Sequence, residues 1–301
     1  MTILKVKLLK NNNMYIGSHI SAAGGVWNAP KNSADIGGEI FQFFSRSPRG
    51  GKAPELMPQI ITEFKTNMGK YCQKECYIHA PYYINLASSD GKIYHSSISV
   101  LREELERGSK LGVKYLITHL GSAKDMGKQA ACKKAAEGID KVLSDYNGTT
   151  KFLMEMSAGS GMIIGDTFED IKAIISNLKS LIRNSLGICF DTAHAFESGY
   201  DLRDKLAVKK TLGQFDKIIG LRKLKLIHLN DSKTDFGSKR DRHEDIGQGK
   251  IGIAGFQALL SDKRLKNINL ILETPSQELD RKNINIIKKL RQEIYYRKYE
   301  I

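Results

Sequence analysis

LGICFDTAH (residues 186–194) joins a short apolar run to a carboxylate at Asp191 and to a histidine, His194, three residues later. An apolar run of this length is typical of a strand that is buried on both faces. Similar runs recur along the chain, and we predict strands at 15–20, 39–44, 75–79, 114–119, 151–155, 186–191, 225–229 and 269–273. The run at 186–191 is therefore one member of a regular series.

Amphipathic stretches separate these runs. Leu101, Leu105 and Leu111 recur with helical spacing among charged residues, which is the pattern of a helix with one buried face. We predict helices at 54–70, 96–111, 128–144, 168–181, 201–219, 255–261 and 278–297. Eight strand-then-helix units in a chain of 301 residues predict an α/β protein built as a single (β/α)8 TIM barrel. We assign residues 14–301 to the barrel and 1–13 to an N-terminal extension.

A doubly wound sheet is the alternative fold for such an alternation, and its usual sign is a glycine-rich turn after the first strand. Here Gly24 and Gly25 follow a Ser-Ala-Ala turn and do not form G-x-G-x-x-G. The stretch GQGKIG (247–252) lacks the spacing of a phosphate-binding loop and follows no predicted strand. The sequence therefore favours the barrel.

Side chains that bind metals stand at the ends of six successive predicted strands. They are His79, His119, Glu155, Asp191, His228 and Glu273. Because a TIM barrel collects the carboxyl ends of its strands at one mouth, we expect the six to converge. Clustered carboxylates repel one another unless cations lie between them. Imidazole and carboxylate without thiolate favour Zn²⁺, Mn²⁺ or Fe²⁺ in a catalytic site.

Three further candidates lie just beyond strand ends. His194 follows Asp191 by about one turn, and Asp241 and His243 alternate in the loop after the seventh strand. Together with the six strand-end residues they are too many for one metal ion. They suffice for two or three ions at about four ligands each.

Eight motifs extend over nearly the whole chain and match one family. They are IGSHISAAGG (16–25), DTAHAF (191–196), SGYDL (198–202), HLNDSK (228–233), FGS (236–238), DRH (241–243), IGQG (246–249) and ILETP (271–275). At these motifs the chain resembles the endonuclease IV family of apurinic/apyrimidinic endonucleases, whose members are TIM barrels with three zinc ions.

The resemblance implies a role for each candidate ligand. His79, His119 and Glu155 resemble the ligands of a first zinc ion. Glu155 would bridge to a second ion, whose other ligands would be Asp191, His228 and Glu273. His194, Asp241 and His243 resemble the third set, and Mn²⁺ is an alternative to zinc at one position.

The resemblance also implies the reaction. Members cleave the phosphodiester on the 5′ side of an abasic site in double-stranded DNA, leave a 3′-hydroxyl and a 5′-deoxyribose phosphate, and trim blocked 3′ ends. A metal-activated hydroxide would be the nucleophile. Glu155 and Glu273 would be the catalytic carboxylates, because the first would hold two metals together and the second could orient the hydroxide.

Three residues are candidate DNA contacts, and two of them match positions at which the family contacts DNA. Arg49 and Tyr82 match side chains that fill the gap when the abasic nucleotide leaves the stack. His19 ends the first predicted strand at the mouth, where it could contact a phosphate. The alternatives are a solvated or phosphate-contacting arginine at 49, a packed loop tyrosine at 82 and a structural hydrogen bond at 19.

The sequence departs from the family in two places. Met156 follows the bridging carboxylate where relatives often carry Asn, so hydrogen bonding around the metals and metal affinity are expected to differ. Gly50 and Gly51 follow Arg49 where relatives often have an aromatic residue. We therefore expect a looser wedge at Arg49.

Composition agrees with an intracellular enzyme that acts on a polyanion. The net charge is +14 and the pI about 9.4, which attracts nucleic acid. The basic residues between 281 and 298 are expected to be a solvated helix face. No apolar run is long enough for a membrane helix, and residues 1–13 lack the features of a secretory signal.

Four cysteines without a zinc-finger pattern predict free thiols in a reducing compartment, either the cytoplasm or nucleoid or, as alternatives, an organelle, the nucleus or a virion. We expect a monomer. The main alternative function is a sugar isomerase or epimerase of the xylose-isomerase type, which binds one or two divalent metals. A DNA-binding barrel without activity is a third possibility, but such a protein should have lost some of the ligand residues.

Overall fold

The computed structural model describes residues 14–124 and 126–297, so the predicted extension at 1–13 lies outside the described residues. Within them, eight parallel strands form the barrel: β1 (Ile16–His19), β2 (Ile40–Phe43), β3 (Cys76–His79), β4 (Tyr115–Thr118), β5 (Lys151–Glu155), β6 (Gly187–Asp191), β7 (Leu224–His228) and β8 (Asn269–Leu272). Pairing of β1 with β8 closes the ring in the order β1-β8-β7-β6-β5-β4-β3-β2. The predicted single TIM barrel is confirmed.

Helices surround this barrel. Those of the described residues are α1 (Ala29–Asp35), α2 (Pro58–Lys70), α3 (Gly91–Leu111), α4 (Lys128–Leu143), α5 (Phe168–Asn177), α6 (Ser180–Ser185), α7 (Thr192–Glu197), α8 (Lys205–Ile218), α9 (Gly252–Ser261) and α10 (Asp280–Arg297). Short 3-10 turns occur at Val26–Asn28, Leu221–Lys223, Lys263–Leu265 and Gln277–Leu279. None of the helices in this part of the chain combines the length and the apolar character that crossing a membrane requires.

Local contacts explain where the helices differ from the sequence prediction. Helix α3 begins before the predicted residue 96 because the Asp90 carboxylate accepts hydrogen bonds from the backbone N–H groups of Lys92 and Ile93. The predicted helix at 168–181 is two helices, because the N–H of Lys179 turns to the carboxylate of Asp140 on α4. Helices α1 and α7 were not predicted, because each is too short for a helical period to show.

Alternation along the strands creates two cores. Inward side chains fill the barrel itself: Ile40, Tyr77, Tyr115, Ile117, Leu153, Cys189, Leu226 and Ile271. Outward side chains such as Phe41, Phe43 and Phe190 pack against the helices. The apolar filling stops below the carboxyl ends of the strands, where polar side chains take over the inward positions.

A short antiparallel pair sits above the barrel mouth. Asp231–Ser232 pairs with His243–Glu244, so the long loop after β7 returns to the mouth. The carboxylate of Asp231 accepts hydrogen bonds from the N–H groups of Gly247, Gly249 and Ile251. A Cβ at Gly249 would lie 2.4 Å from the carbonyl oxygen of Ser232, so this close approach requires glycine. These contacts fix the loop that carries His243.

Candidate metal centre

The six predicted strand-end residues all lie at the carboxyl mouth of the barrel. Four are the last residues of their strands, namely His79, Glu155, Asp191 and His228. The other two follow a strand immediately: His119 after β4 and Glu273 after β8. Glu155, Asp191 and His228 are fully buried. The convergence expected from strand spacing is therefore present.

His79, His119 and Glu155 form a first group. Nε2 of His79 lies 2.9 Å from Oε2 of Glu155, and Nε2 of His119 lies 3.5 Å from the same oxygen. One ligand atom from each of the three lies within 4.8 Å of the others. The spacing fits a single cation held by two imidazoles and one carboxylate oxygen.

Glu155, Asp191, His228 and Glu273 form a second group of the same compactness. Nδ1 of His228 lies 2.7 Å from Oε1 of Glu155 and 3.1 Å from Oε2 of Glu273. The two oxygens of Glu155 thus face different groups. Oε2 faces His79 of the first group, and Oε1 faces His228 of the second group. This is the position that a bridging carboxylate requires.

The third group combines a helix, a strand end and the loop after β7. Asp191, His194 and His243 place ligand atoms within 4.8 Å of one another. Nε2 of His194 lies 3.2 Å from Nε2 of His243 and 3.3 Å from Oδ1 of Asp241. Asp241 is half exposed at the rim, whereas Asp191 belongs to both the second and the third group. Sequence reasoning had placed Asp191 in the second group alone.

Four of the histidines donate one ring N–H to an oxygen and turn the other nitrogen toward the groups. The donations are Nδ1 of His79 to the carbonyl of Ala80 at 2.7 Å, Nδ1 of His194 to that of Met156 at 2.8 Å, Nδ1 of His243 to that of Glu273 at 3.0 Å, and Nε2 of His228 to Oε1 of Gln42 at 2.8 Å. This arrangement is the one that ligating histidines adopt, because it leaves an unprotonated nitrogen for the metal.

The same hydrogen bonds test whether a cation fits. In neutral rings, the facing Nε2 atoms of His194 and His243 both present lone pairs at 3.2 Å. Two such lone pairs repel, and a cation that both could coordinate removes the repulsion. The donor set and its tautomers therefore fit divalent metal ions.

Electrostatics at Glu155 keep it anionic. Burial alone would raise the pKa of its carboxyl group, but attraction and hydrogen bonding from the rings of His119, His228 and His79 in their protonated form hold that pKa well below its usual range. A bound cation would replace those protons as the source of positive charge. Burial opposes ionisation of Glu273 as well, and His228 and His19, in their protonated form, hold the pKa of Glu273 well below its usual range. Both carboxylates are therefore available as ligands at neutral pH.

The third group shows the complementary effect on a histidine. Burial would lower the pKa of His194, yet the carboxylates of Asp191, Asp241 and Glu155 raise it well above its usual value. Burial would also raise the pKa of Asp241, but His194 and His243 lower it to about 2. The carboxylates thus favour a positive charge between them. A divalent cation would supply that charge while the ring nitrogens that face inward stay unprotonated.

Two buried amides at the site were missed by sequence reasoning. Gln42 on β2 contacts His228 and Glu273. Asn230 donates to Oδ2 of Asp191 at 2.7 Å, and its Oδ1 accepts the N–H of Glu273 at 2.7 Å. A polar residue within the apolar run IFQFF (40–44) was the available signal for Gln42.

The candidate DNA contacts surround the mouth at different distances from it. His19 and Tyr82 line a cavity of about 290 Å³ together with six of the candidate ligands, namely His79, His119, His194, Asp241, His243 and Glu273. Tyr82 is 69% exposed, so it is not packed as an ordinary loop tyrosine, and its ring lies 5.3 Å from that of Phe44. Arg49 is exposed in the loop after β2 and is outside the lining of this cavity.

A second cleft of about 800 Å³ adjoins the first and shares His19, Phe44 and Tyr82 with it. It is bounded by the loops after β1 and β2, including Trp27. The metal-binding groups thus open onto a broad surface cleft and not onto an enclosed pocket. Such a shape suits a large substrate.

The two departures from the family motifs have local explanations. Met156 turns its side chain outward into the core between barrel and helices, and only its carbonyl oxygen reaches His194. The hydrogen bond to His194 is thus independent of the side chain at 156. Gly50 and Gly51 have φ angles of 121° and 96°. These angles strain any residue with a Cβ, so this backbone disfavours an aromatic residue there.

Comparison with known proteins identifies the family. A protein-family model described as "Xylose isomerase-like TIM barrel" matches residues 30–295 of this chain. A "Probable endonuclease 4" from Campylobacter concisus (strain 13826) is 38% identical over 282 residues, which cover 93% of this chain and 99% of that protein. The crystal structure of endonuclease IV from Thermus thermophilus superposes with a TM-score of 0.81 at 31% identity, covering 93% and 99% of the two chains.

A D-tagatose 3-epimerase-like protein also superposes, with a TM-score of 0.73 at 19% identity over 94% of this chain and 99% of its own. That likeness concerns the fold alone. The sequence identity to the proteins from Campylobacter concisus and Thermus thermophilus, and the share of both chains that those matches cover, determine the family. The chain belongs to the endonuclease IV family, within the xylose isomerase-like TIM barrels.

Proposed function

We propose that this protein is a DNA-repair endonuclease that cleaves the phosphodiester on the 5′ side of abasic sites. It leaves a 3′-hydroxyl and a 5′-deoxyribose phosphate, and it also trims blocked 3′ ends. The observation that carries the proposal is the convergence of nine His, Asp and Glu side chains at the mouth of a barrel whose relatives are named endonuclease 4.

Three zinc ions are the proposed cofactors, with Mn²⁺ as an alternative at one position. His79, His119 and Glu155 would hold the first, and Glu155, Asp191, His228 and Glu273 the second. His194, Asp241 and His243 would hold the third, with Asp191 close enough to contribute. When bound, such ions supply a hydroxide near neutral pH and offset the charge of the phosphate undergoing attack.

The chain's own residues would position the ions, the attacking oxygen and the DNA. Glu155 is fully buried and directs one oxygen to each of two groups, so it is placed to hold an ion on each side when the metals are bound. Glu273 lies on the side of the cavity, where it can orient the attacking oxygen. His19, Tyr82 and Arg49 are the proposed DNA contacts, with His19 and Tyr82 lining the cavity and Arg49 exposed in the loop after β2.

A duplex that contains one tetrahydrofuran abasic analogue tests the proposal. After reconstitution with Zn²⁺, the protein should cut the labelled strand on the 5′ side of the analogue and leave an undamaged duplex intact. The product should carry a 3′-hydroxyl that a polymerase can extend. An uncut abasic duplex would falsify the proposed function.

Glu155→Gln tests the bridging role. The amide lacks a charge and one acceptor oxygen, so we expect the cleavage rate to fall on the order of 100-fold or more. Binding of the abasic duplex should survive, because the proposed DNA contacts are unchanged. Glu106→Gln on the exposed face of α3 is the matched control and should cleave at the normal rate. Near-normal turnover of Glu155→Gln would contradict the bridging role.

A metal count separates this function from the sugar-isomerase alternative. The fold likeness to a D-tagatose 3-epimerase-like protein keeps that alternative in view. We expect about three zinc ions per purified chain by elemental analysis, since the third group adds His194 and His243 to the two strand-end groups. One or two ions, with turnover of a ketose, would favour the isomerase.

We also propose that the protein acts as a monomer in a reducing intracellular compartment. Its four cysteines are all free, and Cys72 is the exposed one. Free thiols persist where the surroundings are reducing. Light scattering of the purified chain should give a mass near 33.7 kDa. A mass of twice that value would contradict the monomer.

A further inference from the structure

Gln42 lies at the bottom of the metal-binding mouth. It is fully buried and is the third residue of β2. Alternation along the strand turns Ile40 and Gln42 into the barrel and Phe41 and Phe43 outward. Gln42 therefore occupies the layer between the apolar filling of the barrel and the ligand groups.

The side-chain amide of Gln42 contacts three residues of the site. Its Nε2 lies 2.6 Å from Oε1 of Glu273 and 3.0 Å from Nδ1 of His19. Its Oε1 lies 2.8 Å from Nε2 of His228. Both amide hydrogens and the amide oxygen thus have a partner inside a buried site.

Only one orientation of this amide is chemically consistent. An ionised carboxylate can only accept hydrogen bonds, so the atom next to Glu273 must be the amide nitrogen. The reversed amide would place two oxygens 2.6 Å apart with no proton between them. Gln42 therefore presents its oxygen to His228 and its nitrogen to His19.

This orientation determines which nitrogen of each histidine carries the proton. The oxygen of Gln42 accepts a hydrogen bond from Nε2 of His228, so in the neutral ring that a metal ligand requires, Nδ1 is the unprotonated atom and faces Glu155 and Glu273. His19 must accept a hydrogen bond at Nδ1, so its proton is on Nε2, at the other edge of the ring. His19 lines both cavities of the mouth.

We propose that Gln42 is a positioning residue, whose amide fixes His228 as a metal ligand through Nδ1 and His19 as a hydrogen-bond donor through Nε2. The proposed partner of His19 is a phosphate oxygen of the DNA. The inference rests on the proposed function, since that function supplies both the metal and the phosphate. It assigns a role to a residue outside the nine candidate ligands.

Gln42→Met tests the proposal, because methionine has a similar length and cannot form these hydrogen bonds. The full chain is loaded with Zn²⁺ and titrated with a chelator, and the retained metal is measured by mass spectrometry. We expect one zinc ion of the variant to dissociate at a chelator concentration about 10- to 100-fold lower than the concentration needed for the wild type. The other zinc ions should be retained normally.

Gln73→Met is the matched control. Gln73 is also buried, and its amide contacts Ser33, Gly38 and Tyr71 at the amino end of the barrel, away from the ligands. It should lose stability to a similar degree and keep wild-type zinc retention. Wild-type retention in Gln42→Met, or an equal loss in both variants, would overturn the proposed role.

A second measurement needs no variant. Nitrogen-15 NMR of the imidazole rings in the zinc-loaded wild type should show His19 protonated at Nε2 and unprotonated at Nδ1. The opposite tautomer of His19 would overturn the inference even if Gln42→Met failed to fold.

These results are distinguishable from failure of the proposed function. A chain that binds zinc, shows this tautomer and leaves the abasic duplex uncut contradicts the substrate and supports the role of Gln42 toward the metal. A chain that binds no zinc overturns both.

Discussion

Glu155 and Met156 are neighbours in the chain but belong to different parts of the molecule. The Glu155 carboxylate faces the metal-binding groups, whereas the Met156 side chain is fully buried in the core behind β5. The contact of residue 156 with the site is a carbonyl oxygen that accepts a hydrogen bond from His194. The type of side chain at 156 therefore affects packing and leaves this hydrogen bond in place.

Met156→Ala should separate stability from metal binding. Truncation of a fully buried methionine should lower the free energy of unfolding by about 2–5 kcal/mol. Zinc retention should stay within about twofold of the wild type, because the backbone carbonyl persists. Urea unfolding and chelator titration measure the two effects. Met162→Ala, at a 45% exposed position, is the control and should change neither. A large loss of zinc in Met156→Ala would contradict this account.

At the residue scale, sequence reasoning identified the groups that bring chemistry and missed those that orient them. Strand-end spacing was enough to predict that His79, Glu155 and His228 converge, because the barrel fixes where strands end. Their role as ligands stays a prediction. Gln42 and Asn230 were missed because a single amide carries no spacing signal, and its partners are distant in sequence.

The loop after β2 shows how one element supports another. It carries Arg49 and is fastened to α3 by buried charges. Nε of Arg46 donates to Glu104 at 2.9 Å, and the Arg107 guanidinium donates to the carbonyls of Ser45 and Pro54 at 2.7 and 2.6 Å. Glu104 also accepts from the hydroxyl of Ser45 at 2.7 Å. The loop is therefore held at both ends, although Arg49 itself is exposed.

Glu104→Ala should release this loop. Removal of the fully buried carboxylate leaves Arg107 without its counter-charge and Arg46 with Glu103 alone, which should cost about 3–5 kcal/mol. Backbone amides between 45 and 54 should then exchange hydrogen faster than in the wild type. Glu106→Ala, at an exposed position of the same helix, should change stability by less than about 0.5 kcal/mol. Unchanged exchange in Glu104→Ala would contradict a fastening role.

At the element scale, the order and type of the strands were predictable, and several helix boundaries were not. Each barrel strand is an apolar run with clear ends, so prediction and structure differ by a residue or two. The early start of α3 depends on Asp90 as a cap, and the break after α5 depends on a contact between Lys179 and Asp140. Tertiary contacts of that kind leave no periodic trace in the sequence.

At the scale of the whole molecule, one ion pair joins the beginning of the described chain to its end. Glu39, before β2, accepts hydrogen bonds from Arg291 on α10 at 2.8 and 3.0 Å and from the N–H of Ile16 at 2.9 Å. Burial alone would raise the pKa of Glu39, but Arg291, Ile16 and Lys288 together hold it below its usual value. The contact fastens α10 across β1, where the barrel closes.

Glu39→Gln should weaken the fold in a pH-dependent manner. A carboxyl group with a lowered pKa in the folded state stabilises the protein above its unfolded pKa, and the stabilisation is lost as pH falls through the folded pKa. The wild type should therefore exceed Glu39→Gln in stability at pH 7 by about 1.5–3 kcal/mol. The difference should shrink as the pH falls below about 4.5.

Thermal unfolding from pH 7 to pH 3 measures this difference. Glu63→Gln on the exposed face of α2 is the control and should follow the wild type at every pH. A difference between Glu39→Gln and the wild type that is as large at pH 3 as at pH 7 would contradict an electrostatic origin.

The first two metal-binding groups are built from strand ends, whereas the third depends on the loop after β7 for Asp241 and His243. That loop is closed on itself by the pairing of Asp231–Ser232 with His243–Glu244. Exchange of that one surface loop would remove two candidate ligands of the third group and leave the barrel wall intact, whereas loss of either strand-end group would require changes in the wall itself.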